Sequence, residues 1–382
     1  MRIVTVVGTR PQLIKAAALG PTLRASIDEV FVDTGQHWDE KMAGAFFSEL
    51  GLPKPDHSLR IACGSHAEQV GRMLVALGPI LEAARPDAVL VYGDTNSTLA
   101  GALAAAKLGI PLAHVEAGLR SFDRHMPEEI NRVVTDHIAR WCFAPTLAAV
   151  TNLAAEGIVD GVTLVGDLMQ DLASATLDSV RDHTVLAGLE LDLDPGRYLY
   201  ATVHRAENRR RDRMEGWIEL LDAAASPERP VVLALHPGTR AAMLAEGLVT
   251  GPDVRVIAPQ GYRATLALQL HAAAVLTDSG GIQRESAWLD VPCLLLRSTT
   301  EWVEAVAGSR GRLRVIGLDR AAALDALSAL APISDAEASA RTRAVQQVIA
   351  PATAARAIVA TLKDSTRTDQ RSLANIPSEQ EP

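Results

Sequence analysis

VYGDTNSTLAGALAAAKLGIPLAHVEAGLRSFDRHMPEEINR, residues Val91–Arg132, joins two short apolar runs through an alanine-rich segment. The runs are Ala88–Tyr92 and Pro111–Val115, and a histidine is the only strongly polar residue in either. Nearly unbroken apolar runs of this length predict strands that are buried on both faces, which is typical of parallel sheets. The segment between them is long enough for a crossover helix, so this stretch predicts an α/β fold.

Acidic residues follow both runs and also begin the next helix. Asp94 comes two residues after the first run, Glu116 directly follows the second, and Glu128 comes after Pro127, which suits the first position of a helix. Because ligands bind at the carboxyl ends of strands in open α/β sheets, we expect these acids to line a site and serve proton transfer. The alternative is that Asp94 and Glu116 form turns or are solvated. Glu129 is better interpreted as a capping or packing residue.

Strand-like runs alternate with helical patterns along the whole chain, which predicts two Rossmann-like, doubly wound domains. We expect an N-terminal domain over 1–167, a C-terminal domain over 168–350, a helix over 351–362 that joins the first domain, and a disordered polar tail over 363–382. The predicted strands are Ile3–Val7, Val30–Asp33, Ala88–Tyr92, Pro111–Val115, Trp141–Ala144, Val162–Val165, Tyr198–Val203, Val231–Leu235, Val254–Ile257, Val275–Thr277, Pro292–Leu296 and Leu313–Ile316.

Composition narrows the class of protein. A hydrophobic content of 48% is expected of a globular protein, and a net charge of −9 gives no support to nucleic-acid binding. Neither a signal peptide nor an apolar run of membrane-spanning length is found, so we expect a cytoplasmic protein with no membrane contact. The three cysteines lie far apart, which indicates neither a disulfide framework nor a zinc site, and Cys142 and Cys293 are interpreted as buried thiols.

Basic residues follow the first strand. Arg10 lies at the mouth of the first predicted helix and Lys15 about one turn later, which favours an anion site, although an ordinary turn with solvated side chains is the alternative. Neither GxGxxG nor GxxxxGK[ST] is present, so no nicotinamide cofactor is expected. Gln36 and His37 follow the second strand and suit the polar groups of a sugar, although a lone loop histidine is more often incidental.

The second half repeats this arrangement. His204 and Arg205 follow one predicted strand, and His236 follows the next, at a spacing that matches no compact metal site. Thr277 ends a third strand and precedes Asp278-Ser279-Gly280-Gly281, which predicts a loop whose backbone N–H groups receive a diphosphate. A plain Gly-Gly turn is the alternative. Further candidates for binding are Glu285, suited to ribose hydroxyls, and the cation Arg297.

Taken together, these motifs resemble the non-hydrolysing UDP-N-acetylglucosamine 2-epimerase family. The resemblance runs from residue 1 to about residue 360, with the motifs in order. Besides the opening stretch, they are GTRPQLIK at Gly8–Lys15, TGQHWDEKM at Thr34–Met42, HRAEN at His204–Asn208, HP at His236, DSGGIQRE at Asp278–Glu285 and TTEW at Thr299–Trp302.

The resemblance implies a fold like that of the B-type glycosyltransferases, with the active site in the cleft between the domains. It implies anti elimination of UDP to a 2-acetamidoglucal and re-addition with the opposite configuration at C2. It further implies a UDP-sugar substrate, no cofactor, a homodimer and a role in polysaccharide biosynthesis. The residues that match catalytic positions are Arg10, Lys15, Asp94, Glu116, Glu128 and His204. The UDP-binding loop matches Ser279, Gly280, Gly281 and Glu285, and Gln36, His37 and His236 match positions that bind an activating second UDP-GlcNAc in some members.

Several residues depart from the family pattern. Many members have Glu where this chain has Gln12, Glu where it has Arg284, Asp where it has Ser298, and Arg-Pro where it has Trp302-Val303. Gln12 and the Glu-Trp-Val-Glu run are more similar to the branch that acts on UDP-2,3-diacetamido-glucuronate, and Arg284 favours an extra sugar carboxylate. A glycosyltransferase, a hydrolysing epimerase and a silent nucleotide-sugar sensor are the alternative functions.

Overall fold

A computed structural model describes residues 1–36, 47–330 and 353–374 of the chain. The chain divides into two compact units: the first contains Met1–Leu172 and the C-terminal helix, and the second begins at Ala173. No helix among the described residues has the length and apolar character needed to cross a membrane.

The described part of the first unit contains a parallel sheet with the strand order β3-β2-β1-β4-β5-β6-β7. Its strands are β1 Arg2–Val7, β2 Asp28–Asp33, β3 His57–Ser58, β4 Ala88–Tyr92, β5 Leu112–Val115, β6 Trp141–Ala144 and β7 Val162–Leu164. Its helices are α1 Arg10–Arg24, α2 His66–Ala84, α3 Asn96–Lys107, α4 Pro127–Ile138, α5 Leu147–Ala155 and α6 Leu168–Leu177, the last of which leads into the second unit.

The described part of the second unit contains another parallel sheet, with the order β10-β9-β8-β11-β12-β13. Its strands are β8 Leu199–Val203, β9 Val231–Leu235, β10 Val254–Ile257, β11 Ala274–Thr277, β12 Cys293–Leu295 and β13 Leu313–Val315. Its helices are α7 Thr184–Ala187, α8 Arg211–Ala224, α9 Pro237–Ala245, α10 Tyr262–Leu270, α11 Gly280–Trp288, α12 Val303–Gly308 and α13 Arg320–Ser328, with a 3-10 turn at Ala206–Arg209.

Burial explains why these runs form central strands. Every residue of β4 and β8 is buried, and alternate side chains pack on opposite faces of each sheet. In the second unit, Leu199 and Val203 belong to the core that contains Trp217, whereas Tyr200 belongs to the core on the other face. Helices therefore cover both faces, and the prediction of two doubly wound α/β sheets is confirmed.

The predicted strands agree with the observed ones to within two residues at either end. The structure adds β3, whose two exposed residues carry no apolar signal. Cys142 and Cys293 are buried as predicted, and burial raises the pKa of both thiols to about 12.

The C-terminal helix, α14, differs from the prediction. It extends over Ala354–Ala374 and therefore continues through the first twelve residues of the segment predicted to be disordered. No Pro or Gly interrupts residues 363–374, which permits the extension. The helix packs on α1, and the Asp171 carboxylate accepts backbone hydrogen bonds from Thr353 and Ala355 at 3.3 and 3.1 Å. The remaining residues, 375–382, lie outside the described part of the chain.

Both sheets reverse their strand order at one place. In the first unit the chain builds outward from β1 on one side and from β4 on the other, and in the second unit β8 and β11 have these positions. In doubly wound sheets the loops beyond such a pair diverge and leave a crevice for a ligand. The segments after β1, β4, β8 and β11 contain most of the candidate residues.

Candidate active site

Gln12 joins the tips of β1 and β4. Its side-chain oxygen accepts from Gly8 N at 2.8 Å, and its amide nitrogen donates to Tyr92 O at 2.8 Å and to Thr98 Oγ1 at 2.9 Å. Gln12 is fully buried, so these bonds form in a region where water does not compete. They fix the start of α1, where Arg10 is the first helical residue, against the turn that precedes Asp94.

Lys15 and Glu116 form an ion pair between α1 and the tip of β5. Lys15 Nζ donates to Glu116 Oε1 at 2.6 Å, and the two side chains are only 5% and 11% exposed. Gly93 makes room for this pair, because a Cβ at that position would stand 3.3 Å from Lys15 Nζ and 3.4 Å from Glu116 Oε1. Two residues that are 101 positions apart in sequence are thereby brought into direct contact.

Glu116 adopts a left-handed backbone conformation with a φ of 71°. For a residue with a Cβ this conformation costs about 1–2 kcal/mol. The hydrogen bond from Glu116 N to Phe143 O, at 3.1 Å, holds the peptide in place. Strained backbone of this kind clusters at functional sites, so the conformation supports a role for Glu116 beyond packing.

Asp94 is held by α4. Arg132 donates to the Asp94 carboxylate, and Asn131 Nδ2 donates to Asp94 O at 2.8 Å. The Asp94 side chain is 30% exposed, whereas that of Arg132 is 5% exposed, so the acid rather than its partner reaches solvent. Arg132 also pairs with Glu129 at 2.8 Å, which ties the turn after β4 to the first turn of α4.

Glu129 is a packing residue, as predicted. It is buried and accepts hydrogen bonds from Ser121 N at 2.8 Å and Phe122 N at 2.9 Å. Burial by itself raises its pKa, but the bonds from Ser121 and the charge of Arg132 hold the pKa of Glu129 below its ordinary value. Glu128, one residue earlier in α4, is exposed, and its side chain has no hydrogen bond or ion pair within the part of the chain that the structure describes.

A buried histidine orients the turn that precedes Asp94. His114 Nε2 lies 2.7 Å from Gly93 O, and Nδ1 lies 2.7 Å from Asp136 Oδ1. The ring therefore links the Gly93 carbonyl to the Asp136 carboxylate. Asp136 also pairs with Arg120 at 2.7 Å. Burial opposes ionisation of Asp136, but His114 and Arg120 hold the pKa of this carboxyl below its ordinary value.

In the second unit, the imidazole of His204 is oriented by a carboxylate. Nδ1 of His204 lies 2.7 Å from Asp278 Oδ1, across the tips of β8 and β11. The His204 side chain is 45% exposed, whereas Asp278 is fully buried. The Asp278 contact places the donated hydrogen on Nδ1 and leaves Nε2 to meet a ligand.

Asp278 also collects hydrogen bonds from the loop that follows β8. It accepts from His204 N at 3.1 Å, from Arg205 N at 3.0 Å and from Asn208 Nδ2 at 2.8 Å. Burial alone raises the pKa of Asp278, but the His204 charge and these donors hold it far below its ordinary value. The carboxylate therefore stays ionised and holds the β8 and β11 loops together.

Helix α11 presents its N-terminus directly after this carboxylate. Ser279 is the N-cap, with Oγ accepting from Ile282 N at 3.4 Å, and Gly280 and Gly281 are the first two helical residues. The first backbone N–H groups of a helix lack intrahelical partners, and the helix dipole adds partial positive charge there. The arrangement suits the oxygens of a phosphate group.

Comparison with known proteins shows the family of this chain. Residues 22–363 match the family model described as UDP-N-acetylglucosamine 2-epimerase. The chain belongs to this family.

Relatives of this family member include two at the same level of identity. A UDP-N-acetylglucosamine 2-epimerase homolog from Methanococcus maripaludis is 44% identical over 339 residues, which is 88% of this chain and 94% of the relative. The UDP-2,3-diacetamido-2,3-dideoxy-D-glucuronate 2-epimerase of Pseudomonas aeruginosa is 44% identical over 312 residues, 80% of this chain and 86% of the relative. Among solved structures, Methanocaldococcus jannaschii UDP-GlcNAc 2-epimerase in complex with UDP-GlcNAc and UDP is 37% identical with a TM-score of 0.79, covering 91% of this chain and 99% of that one.

The remaining predicted binding residues of this family member differ in burial and in hydrogen-bond partners. Glu285 is buried in α11 and accepts from Gln269 Nε2 at 2.6 Å. Arg297 is buried and its Nη1 lies 3.0 Å from Glu301 Oε2.

His236 is the exposed N-cap of α9, with Nδ1 accepting from Gly238 N at 3.1 Å. Gln36 accepts from Ser97 Oγ at 2.7 Å, at the start of α3. His37 lies outside the described residues.

Sequence reasoning gave no role to His114, Asp136, Glu301 or the carboxylate of Asp278. The first two pair across 22 residues, and His114 interrupts an apolar run, which is the one signal that could have singled it out. Asp278 belongs to the DSGGIQRE motif, but its contact with His204 spans 74 residues and has no local signature.

Proposed function

We propose that this protein is a non-hydrolysing UDP-N-acetylglucosamine 2-epimerase, an isomerase that inverts C2 by eliminating UDP and adding it back. The observation that carries the proposal is the buried Lys15–Glu116 pair, in which a left-handed backbone presents a carboxylate at the tip of β5. A proton-transfer site uses a carboxylate held in one orientation, and the ion pair with Lys15 provides this orientation.

Elimination removes a hydrogen from C2 that no carbonyl group acidifies. Departure of UDP develops positive charge at C1, which makes the C2 hydrogen more acidic. One carboxylate takes this proton as the C1–O bond breaks and a 2-acetamidoglucal forms. Re-addition then delivers a proton to the opposite face of C2 while a UDP oxygen bonds to C1.

We assign the two proton transfers to Glu116 and Glu128, one as base and the other as acid, with Asp94 as the third carboxylate. Lys15 fixes the direction of the Glu116 carboxylate, and Arg132 fixes that of the Asp94 carboxylate. Glu128 is exposed in the first turn of α4, where it can exchange protons with solvent. A positioned acid or base typically contributes about 10²–10⁴ in rate.

The groups of the second unit are assigned to the departing diphosphate. His204 is oriented by Asp278, and Arg205, Ser279 and the backbone of Gly280 and Gly281 lie beside it in the same loops. Donors that are fixed in advance stabilise negative charge as it develops, and this is often the largest contribution to catalysis. Arg10, the first residue of α1, is assigned the same task. We further assign Glu285 and Arg297 to nucleotide binding, and Gln36, His37 and His236 to a second UDP-GlcNAc.

The test is proton NMR of the protein with UDP-GlcNAc in D2O, without any acceptor. An epimerase produces a UDP-GlcNAc/UDP-ManNAc mixture and replaces the C2 hydrogen by deuterium. A hydrolysing epimerase instead releases free ManNAc and UDP, and a glycosyltransferase leaves the sugar at C2 unchanged. Unchanged C2 stereochemistry and no exchange would disprove the proposal.

A second candidate substrate is UDP-2,3-diacetamido-2,3-dideoxy-glucuronate. The Arg284 guanidinium is buried with its carbon 3.8 Å from the Trp302 ring, and its Nε donates to Gly280 O at 3.2 Å. Many members of the family are expected to have Glu and Arg at these two positions, so the net charge of the pair in this chain is one unit more positive beside the proposed diphosphate site. A uronate carboxylate suits that charge. The same NMR experiment with this sugar as substrate decides between the two.

We also propose that the enzyme acts in the cytoplasm as a homodimer and supplies an activated amino sugar for polysaccharide biosynthesis, with domains over 1–167 and 168–350. The resemblance in sequence supports the homodimer and the biosynthetic role, and the alternation of strand-like runs along the chain supports the domain bounds. Light scattering coupled to gel filtration tests the dimer, because a single species of about 40 kDa, near the 40.6 kDa of one chain, would contradict it.

A further inference from the structure

Glu301 places a carboxylate among the cations of the second unit. Its Oε2 lies 3.0 Å from Arg297 Nη1, and its Oε1 lies 3.7 Å from Arg205 Nη2. The side chains of Glu301 and Arg297 are 11% and 5% exposed, so the carboxylate is mostly enclosed between the two guanidinium groups.

The same carboxylate lies against the first residue of α11. A Cβ placed on Gly280 would stand 2.9 Å from Glu301 Oε1, so the glycine leaves room for this approach. The start of α11 is the place at which the proposed function puts the diphosphate. An anionic side chain that lies at a helix N-terminus satisfies the same electrostatic preference as a phosphate.

A second observation points to a ligand at this place. Gln283 is fully buried, and its side-chain oxygen accepts from Thr300 Oγ1 at 2.9 Å. Its amide nitrogen is buried without a hydrogen-bond partner among the residues that the structure describes, and it would lie 3.7 Å from a Cβ on Gly280. Buried donors are rarely left unpaired, so this amide is suited to an oxygen supplied by a ligand.

We propose that Glu301 is an internal competitor of the diphosphate for Arg205, Arg297 and the start of α11. A nucleoside diphosphate carries more negative charge than one carboxylate and makes more hydrogen bonds, so it displaces Glu301 when it binds. The Gln283 amide then donates to a phosphate oxygen. When the diphosphate leaves, the carboxylate returns to the two arginines and keeps their charges compensated.

This role has a consequence for affinity that an orienting role does not have. A carboxylate that must leave the site weakens diphosphate binding and speeds product release, whereas a carboxylate that only positions the arginines strengthens binding. The two roles therefore predict opposite signs for the effect of removing the charge. The inference rests on the proposed function only in that the ligand is a nucleoside diphosphate.

The experiment is a calorimetric titration of the full-length protein with UDP, comparing the wild type with Glu301→Gln. Glutamine keeps the shape and can still accept from an arginine, but it lacks the charge. We expect UDP to bind about tenfold more tightly to the variant, because UDP no longer has to displace a charged carboxylate from Arg297 and Arg205. The matched control is Glu215→Gln, which removes an exposed carboxylate paired with Arg211 in the same unit and should leave UDP affinity unchanged.

Two further variants keep the test decisive. Glu301→Asp keeps the charge but shortens its reach, so UDP affinity should lie between those of the wild type and Glu301→Gln. Gln283→Leu removes the proposed amide donor and should weaken UDP binding about tenfold. Raising the salt concentration should weaken UDP binding more steeply in Glu301→Gln than in the wild type, because the variant binds UDP with two uncompensated arginines.

The outcomes separate this inference from the proposed function. UDP binding to Glu301→Gln that is unchanged or weaker than in the wild type overturns the inference, even if the wild type epimerises UDP-GlcNAc. Tighter UDP binding to the variant together with no C2 exchange in the wild type supports the inference and overturns the proposed function. A wild type that binds no UDP overturns both.

Discussion

The two units use ion pairs at their strand tips in opposite ways. In the Arg132–Asp94 pair of the first unit the cation is enclosed and the acid reaches outward, because Arg132 is 5% exposed and Asp94 is 30% exposed. In the second unit the acid is enclosed and the base reaches outward, because Asp278 is fully buried while His204 is 45% exposed. The partner that reaches solvent is the one that can meet a substrate. This contrast separates a surface suited to proton transfer from one suited to binding an anion.

The largest expected effect comes from the first unit. Glu116→Gln keeps the hydrogen bond to Lys15 but loses the charge, so we expect kcat for epimerisation to fall by about 10²–10⁴. Deuterium incorporation at C2 should fall in parallel, and NMR in D2O measures both. UDP affinity should change little, because the second unit is assigned to the diphosphate.

Glu82→Gln provides the control, since this carboxylate is exposed in α2 of the same unit. Its turnover should match that of the wild type. Full turnover in Glu116→Gln would remove Glu116 from the proton-transfer assignment and erase the contrast between the units.

His204→Gln tests the other side of the comparison. Loss of one donor that stabilises developing charge typically costs about 10²–10³ in kcat, and we expect a decrease of this size. The substitution should also weaken UDP binding, which Glu116→Gln does not. A variant that binds UDP normally and loses only C2 exchange would place His204 with the proton-transfer groups instead.

Asp278→Asn should change stability and its dependence on pH. The buried Asp278 carboxylate accepts several hydrogen bonds, and an amide in its place serves these donors less well, so we expect a loss of about 1–3 kcal/mol near neutral pH. The folded pKa of Asp278 lies below the unfolded value of about 4, so the stability it contributes is complete above that pH and is lost as the pH falls further. Urea unfolding between about pH 5 and pH 2 should therefore show a shallower decline in the variant. Identical slopes in the two proteins would contradict the buried, ionised carboxylate.

Gly93→Ala should have the smallest effect on stability, and it tests whether the Lys15–Glu116 pair needs the space that the glycine leaves. Gly93 has a φ of 62°, and an alanine in this conformation costs about 1–2 kcal/mol. Gly109→Ala is the matched control, because Gly109 has a φ of 66° but no atom lies within 4 Å of its added Cβ. Both variants should lose similar stability in urea unfolding, and only Gly93→Ala should lose epimerase activity. Equal activity would show that the Lys15–Glu116 pair tolerates crowding.

The sequence predicts the sheets well because a strand buried on both faces has a local signature. β4 has the same bounds in the prediction and in the structure, and its five residues are all buried. β3 was missed because two exposed residues carry no apolar pattern. The length of α14 was missed because a polar composition does not by itself distinguish a helix from disorder.

The candidate site was predicted as a set of positions rather than as a set of contacts. Strand-tip placement singles out Asp94, Glu116 and His204, since the carboxyl ends of parallel strands meet at one edge. It does not reveal that Lys15 pairs with Glu116, that His114 holds the Gly93 carbonyl or that Glu301 lies between two arginines. These contacts depend on backbone conformation and on packing between distant segments, neither of which a single sequence encodes in a readable pattern.

Asp278 joins two loops in a clasp, the set of hydrogen bonds between its carboxylate and the loop after β8, and this has a consequence for the engineering of the enzyme. Asp278 begins the glycine-rich loop, and its carboxylate accepts hydrogen bonds from three residues of the neighbouring loop: His204, Arg205 and Asn208. The two loops are therefore coupled, and a redesign of the glycine-rich loop for another leaving group would also move the His204 imidazole. Changes of nucleotide preference are best sought in side chains that project from this clasp, with its backbone left untouched.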